Sequence, residues 1–140
     1  MDDGLRIDKG LLREYNEGLI ALSACLHGEV AYYSALGNIE AARKAASEYR
    51  EIFTEKRFYL ELQDNGMEEQ KKVNKRLFDI SRSLEIPVVA TNDCHYLTRK
   101  DSRVHDILLC IQTGATINTP NRMRFATDEF YVKSPQEMAA

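Results

Sequence analysis

Apolar positions along the chain change period several times, and each change marks an element. Asp8 can cap a short helix with Leu11, Leu12 and Tyr15 on one side. Leu19 to Cys25 is apolar until its end and predicts a buried strand. Gly28 to Leu36 predicts a short helix stopped by Gly37. From the cap Asn38, residues Ile39, Ala42, Ala46, Tyr49 and Phe53 recur at spacings of three and four, one helical stripe. Phe58 to Asp64 predicts a strand, and Asn65-Gly66 a turn leading into a helix striped by Val73, Leu77, Ile80 and Leu84. After Pro87, the run Val88-Val89-Ala90 has the look of a strand with both faces covered. Thr98 and Asp101 predict a capping box, ahead of a helix whose buried stripe is Val104, Ile107, Leu108 and Ile111 and which Gly114 closes. Asn118 to Asn121 predicts a turn, Phe130 to Lys133 a short strand, and Ser134-Pro135-Gln136-Glu137 the cap and first turn of a final helix.

Strands alternating with helices imply parallel strands joined by helical crossovers, an α/β class. Three such strands fill neither a barrel nor a doubly wound sheet, so the expectation is part of a larger α/β domain. Composition changes this little. The 140 residues are 44% hydrophobic and 29% charged, enough to fold around a core. No apolar run reaches membrane-spanning length. The acidic start Met1-Asp2-Asp3-Gly4 argues against a secretory signal.

Charge narrows the partners. The net charge of -3 excludes a broad basic footprint for duplex DNA. Lys71, Lys72, Lys75 and Arg76 alternate with Glu68, Glu69 and Asp79, which reads as a solvated helix face. Three cysteines without C-x-x-C spacing read as reduced thiols of a cytoplasmic protein.

In parallel α/β folds, chemistry gathers at the carboxyl ends of strands. Here those ends carry Cys25 with His27, then Glu61, Gln63 and Asp64, then Asn92, Asp93 and His95. On an extended backbone Asp93 and His95 share a face and Cys94 takes the other. A carboxylate and an imidazole side by side suit a divalent cation, and an Asp–His hydrogen bond in a loop is the plainer alternative. Cys25 is a third ligand or a buried, inert thiol. Glu61 is an interior polar group or an ion-pair member. His27 and His105 read as surface residues and Cys110 as packing. No G-x-S-x-G, Walker A or G-x-G-x-x-G motif is present.

Three blocks carry a family resemblance: Gly18 to Leu26, Phe58 to Asp64, and Ala90-Thr91-Asn92-Asp93-Cys94-His95-Tyr96-Leu97. They resemble the polymerase-and-histidinol-phosphatase (PHP) domain of bacterial DNA polymerase III alpha subunits. Asp106 to Gly114 and Thr127 to Pro135 resemble the segment leading from that domain toward the polymerase palm. The resemblance starts at about Arg6. It implies a distorted (β/α)7, TIM-like barrel with a metal cluster at its mouth. It places Cys25 at the family's cysteine ligand, and Asp93 with His95 at its closing Asp-x-His pair. It further implies zinc, manganese or magnesium in the intact domain, metal-dependent 3′→5′ exonuclease or phosphoesterase activity, and a parent that is a DNA-directed DNA polymerase (a nucleotidyltransferase). DNA and other replicative holoenzyme subunits would be its partners, with no membrane.

The family's opening His-x-His motif is absent, since His27, His95 and His105 are the only histidines. The expectation is the C-terminal portion of a PHP domain over 1–114 and a palm-leading segment over 115–140. No catalytic residue is assigned within the chain, and its own nuclease activity is expected to be negligible. A structural module supporting the polymerase is the alternative, and exposed strand edges make self-association a hazard.

Overall fold

A computed structural model describes residues 7–139, so the acidic start and Arg6 lie outside the described residues. The chain divides into two compact units, one of Met1–Glu61 with Lys75–Val89, the other of Leu62–Asn74 with Ala90–Ala140. The elements in order are α1 (Lys9–Glu14), β1 (Ala21–Leu22), α2 (Glu29–Ala35), α3 (Ile39–Ile52), β2 (Phe58–Gln63), α4 (Glu68–Leu84), β3 (Val88–Thr91), a 3-10 turn (Arg99–Asp101), α5 (Ser102–Thr113) and α6 (Pro135–Ala139). This is an α/β chain with a three-stranded sheet ordered β1-β2-β3. β1 and β2 pair in parallel, Ala21 opposite Phe58 and Leu22 opposite Tyr59.

In the first unit, Asp8 caps α1 by accepting from the Leu11 amide at 2.8 Å. The Lys9 ammonium sits between Glu29 at 2.8 Å and Glu48 at 2.7 Å, over the Tyr49 ring. These contacts tie α1 to α2 and α3. Gly28 begins α2 and has to be glycine, because a Cβ there would stand 2.1 Å from the Ser23 carbonyl oxygen. Gly37, at φ 77°, ends the α2 segment, and Asn38 caps α3 through the Ala41 amide. Small residues let α2 and α3 approach: Ala42, Ala45 and Ala46 are buried on one, Val30, Ala31 and Ser34 on the other. Ile52, Phe53, Phe58, Leu60, Leu77, Ile80 and Ile86 are buried with them.

Two strand expectations fail here. The predicted strand Leu19 to Cys25 contracts to Ala21–Leu22, and Leu19, Ile20 and Leu22 are 49%, 64% and 44% exposed. Among the described residues β1 is an edge strand, its Ala21 and Ser23 amides bonded to the Arg57 and Tyr59 carbonyls and no further strand on its other side. β3 likewise is not covered on both faces, with Val88 37% exposed. Only a sheet flanked on both faces buries such runs throughout.

In the second unit, Gln63 Nε2 donates to Thr91 Oγ1 at 3.2 Å, and Asn74 Nδ2 donates to the Gln63 carbonyl at 2.8 Å. The Thr98–Asp101 capping box is formed, and Gly114 closes α5 in the left-handed conformation. Arg122, its side chain 8% exposed, grips Asp106 through two bonds of 2.5 and 2.6 Å and fastens the tail to α5. Cys110 and Leu109 are buried. The predicted stripe is not: Val104, Ile107, Leu108 and Ile111 are 57%, 44%, 56% and 73% exposed. Periodicity marked an apolar face correctly, but among the described residues no element covers it. Phe130 to Lys133 makes one isolated parallel bridge, Tyr96 with Tyr131, where a strand was expected. Ser134 and Glu137 cap α6 reciprocally.

Candidate metal centre at the exit of β3

Asn92 fixes the start of this region. It is 5% exposed, and its Nδ2 donates to the carbonyls of Glu129 and Tyr131, both at 2.7 Å. The chain then turns. Asp93 has φ 47°, in the left-handed region that Asp tolerates better than most residues. The extended backbone assumed from the sequence is therefore absent, yet the outcome is the same. Asp93 Oδ1 stands 3.5 Å from His95 Nε2. Cys94 points elsewhere, its thiol donating to the Tyr131 carbonyl at 3.4 Å. Beyond the turn, the His95 amide donates to the Phe130 carbonyl at 2.8 Å, and the Val132 amide to the Tyr96 carbonyl at 3.2 Å. The pair thus sits on backbone tied down on both sides.

The His95 ring is held by other rings. Phe125 meets it edge-on at 4.7 Å, His105 lies at 5.5 Å and Phe130 at 5.8 Å. Phe125 also contacts Phe130 at 4.5 Å and His105 at 4.7 Å. Such pairs contribute about 0.5–1.5 kcal/mol each beyond burial. Burial, and then the neighbouring His95, hold the His105 imidazole below its usual pKa. His105 is therefore half-buried packing, not the surface residue expected. Phe125 had no signal in the sequence, because it lies in a tail without periodicity.

The remaining candidates separate. Cys25 is half-buried in the first unit, its Sγ 3.8 Å from Nδ1 of the exposed His27. Gln63, Asp64 and Asn92 line a cleft of about 430 Å³ within the second unit, together with Asn74, Lys133 and Glu137. Glu61 is partly exposed, with its amide bonded to Ser23 Oγ. Among the described residues, no group of three or more His, Cys, Asp or Glu side chains is placed to hold a metal ion. Asp93 and His95 supply a hard oxygen and a borderline nitrogen, a donor pair that suits a divalent cation but falls short of a full ligand set.

A second cleft, of about 610 Å³, adjoins the ring cluster, with Tyr96, Arg103, His105, Arg124 and Phe125 among its lining. No helix among the described residues is long and apolar enough to cross a membrane.

Residues 2–65 match the PHP domain family. The chain is 45% identical over 135 residues to the DNA polymerase III subunit alpha of Thermus aquaticus, covering 96% of this chain and 11% of that protein. It is 45% identical over 134 residues to the subunit of the same name from Treponema pallidum, covering 96% of this chain and 12% of that protein. Against the subunit of Mycobacterium tuberculosis, identity is 44% over 133 residues, 95% of this chain and 11% of that protein. Residues 2–65 therefore match the PHP family, while nearly the whole chain is similar to DNA polymerase III alpha subunits and spans about a tenth of their length.

Proposed function

We propose that Asp93 and His95 are two ligands of a divalent metal site in a PHP domain, belonging to a parent DNA-directed DNA polymerase. Cys25 is assigned to the same ligand set on the family resemblance alone. The observation that carries the reading is the Asp93–His95 pair itself. Its two side chains meet at 3.5 Å across a left-handed turn at Asp93, which presents a carboxylate oxygen and an imidazole nitrogen side by side. Zinc, manganese and magnesium are the candidate ions. When bound, such an ion supplies an activated water and neutralises phosphate charge. This chain's own part is to present the carboxylate and the imidazole in fixed orientation. The rings around His95 lock its plane, and Asn92 anchors the turn.

On this reading the parent domain is a TIM-like barrel and hydrolyses phosphodiesters as a 3′→5′ exonuclease. Residues 1–114 form part of that domain, and 115–140 lead toward the polymerase palm. DNA and the other replicative subunits are its partners, and the cytoplasm its location. With two adjacent ligands in place, the chain by itself has negligible nuclease activity. The exposed Leu19, Ile20 and Leu22 beside an open strand edge favour self-association when the chain is isolated.

A second reading has its own support. His95 packs against three rings, as a structural residue would. It makes the domain a scaffold for the polymerase without catalysis. Metal analysis and an exonuclease assay on the full-length parent decide between them, with Asp93→Ala and His95→Ala alongside. The metal reading predicts loss of bound metal and of exonuclease in both variants, with polymerisation retained. Full metal content and full exonuclease in both would refute it.

A further inference from the structure

We propose that the cleft beside the ring cluster is a binding subsite for single-stranded DNA, with Arg103 and Arg124 as its phosphate contacts and Tyr96 and Phe125 as its base platform. The inference deepens the proposed function and rests on that reading, since it names the residues that would guide a strand past the Asp93–His95 pair.

The cleft, of about 610 Å³, is formed wholly by the second unit, from the start of α5 and the loop 124–128. Its charges are unequal in status. Asp106 is neutralised by the bidentate grip of Arg122, and Asp128 is paired with Arg99 at 3.2 Å. Arg103 and Arg124 are exposed and make no ion pair with any described residue. The cleft therefore presents two exposed guanidinium groups outside any ion pair with a described residue, Arg124 within electrostatic reach of the Asp106 that Arg122 already holds, and their planar forks suit phosphate oxygens. Ser102 and Thr127 add hydroxyls to its lining.

Aromatic walls stand next to these cations. Tyr96 and Phe125 line the cleft, each in contact with His105, and Phe125 also touches His95. Guanidinium groups and aromatic rings lining one cleft form the combination that holds unpaired bases and their phosphates without reading sequence. Phe125 and His105, which line the cleft, both contact the His95 ring, so the cleft is one ring away from a proposed metal ligand. The basic run on α4 has no such character. Lys71 is paired with Glu68 at 2.9 Å, and no cleft described in this structure is lined by Lys72 or Lys75.

The test is a titration of the chain with a fluorescein-labelled oligothymidylate, in chelator, across a series of salt concentrations. Working without metal separates this inference from the metal assignment. The wild-type chain is expected to bind the single strand with affinity falling steeply in salt. Arg103→Gln and Arg124→Gln should each lower the slope of log K against log salt by about 0.7, the release expected per phosphate contact on a single strand. Lys72→Gln and Lys75→Gln should leave it unchanged. Phe125→Leu, which keeps an apolar side chain in the cluster, should weaken binding about fivefold or more with the slope intact. Absence of binding at low salt, equal slope changes in the arginine and lysine variants, or full competition by inorganic phosphate at equal concentration would each overturn the proposal.

Discussion

Helices α4 and α5 carry apolar stripes of the same period, and the two stripes meet different fates. Val73, Leu77 and Ile80 on α4 are at most 1% exposed. On α5, Val104, Ile107, Leu108 and Ile111 are at least 44% exposed, and Leu109 and Cys110 are the buried pair. The difference lies in the neighbours and not in the helices. Period reports which face of a helix is apolar, while burial requires another element to cover that face. β1 repeats the lesson, because its apolar residues are exposed on a strand that has a neighbour on one side only.

The sharpest test of this contrast is truncation on each helix. Leu77→Ala should cost about 2–5 kcal/mol in chemical denaturation, because it leaves a cavity in a packed core. Ile111→Ser should change stability by no more than about 0.5 kcal/mol. Equal costs would mean that the α5 stripe is covered in solution. If the cover is a second copy of the chain, sedimentation velocity of Ile107→Ser with Ile111→Ser will show less association than wild type.

A smaller effect is expected at the start of α5. Thr98→Ala breaks the capping box with Asp101 and should cost about 1 kcal/mol, detected as fraying of α5 in amide exchange. Unchanged protection there would show that the tail's grip on Asp106 holds the helix without the cap.

The smallest effect concerns acid. The Tyr131 hydroxyl, then the amide and hydroxyl of Ser134, hold the Glu137 carboxyl at a pKa of about 2. A depressed carboxylate stabilises the folded form above its ordinary pKa near 4.5, and that contribution is lost as pH falls toward 2. Chemical shifts of α6 should therefore move toward coil between those values, and Glu137→Gln should remove the dependence. A transition of the same size in the variant would contradict the assignment.

Local signals in the sequence translated faithfully. The caps at Asp8, Asn38 and Thr98, the stops at Gly37 and Gly114, and the middle of the α3 and α4 stripes all depend on residues within a few positions of one another, whereas Ile39 at the start of the α3 stripe is 38% exposed and Leu84 at the end of the α4 stripe is half-buried. Their physics is contained in short windows. The Asp93–His95 juxtaposition was also legible, although through the wrong geometry, since a left-handed turn and not an extended strand brings the side chains together. What the sequence could not show depends on long-range contacts. The exposure of Leu19, Ile20 and Ile111 depends on which elements lie beside them, and among the described residues none covers them. The ring cluster joins His95 to Phe125, thirty positions later in a tail with no period. That Arg103 and Arg124 stand outside any ion pair with a described residue appears only once Arg122 and Arg99 are seen to take Asp106 and Asp128.

The most direct test of the account is a manganese titration of the chain followed by NMR at the His95 imidazole. Asp93 and His95 are proposed as ligands of a set that the described residues do not complete. The account predicts weak binding, with paramagnetic broadening centred on His95 and abolished by Asp93→Ala. Tight, stoichiometric binding that leaves the His95 signals sharp, or that survives Asp93→Ala, would contradict it.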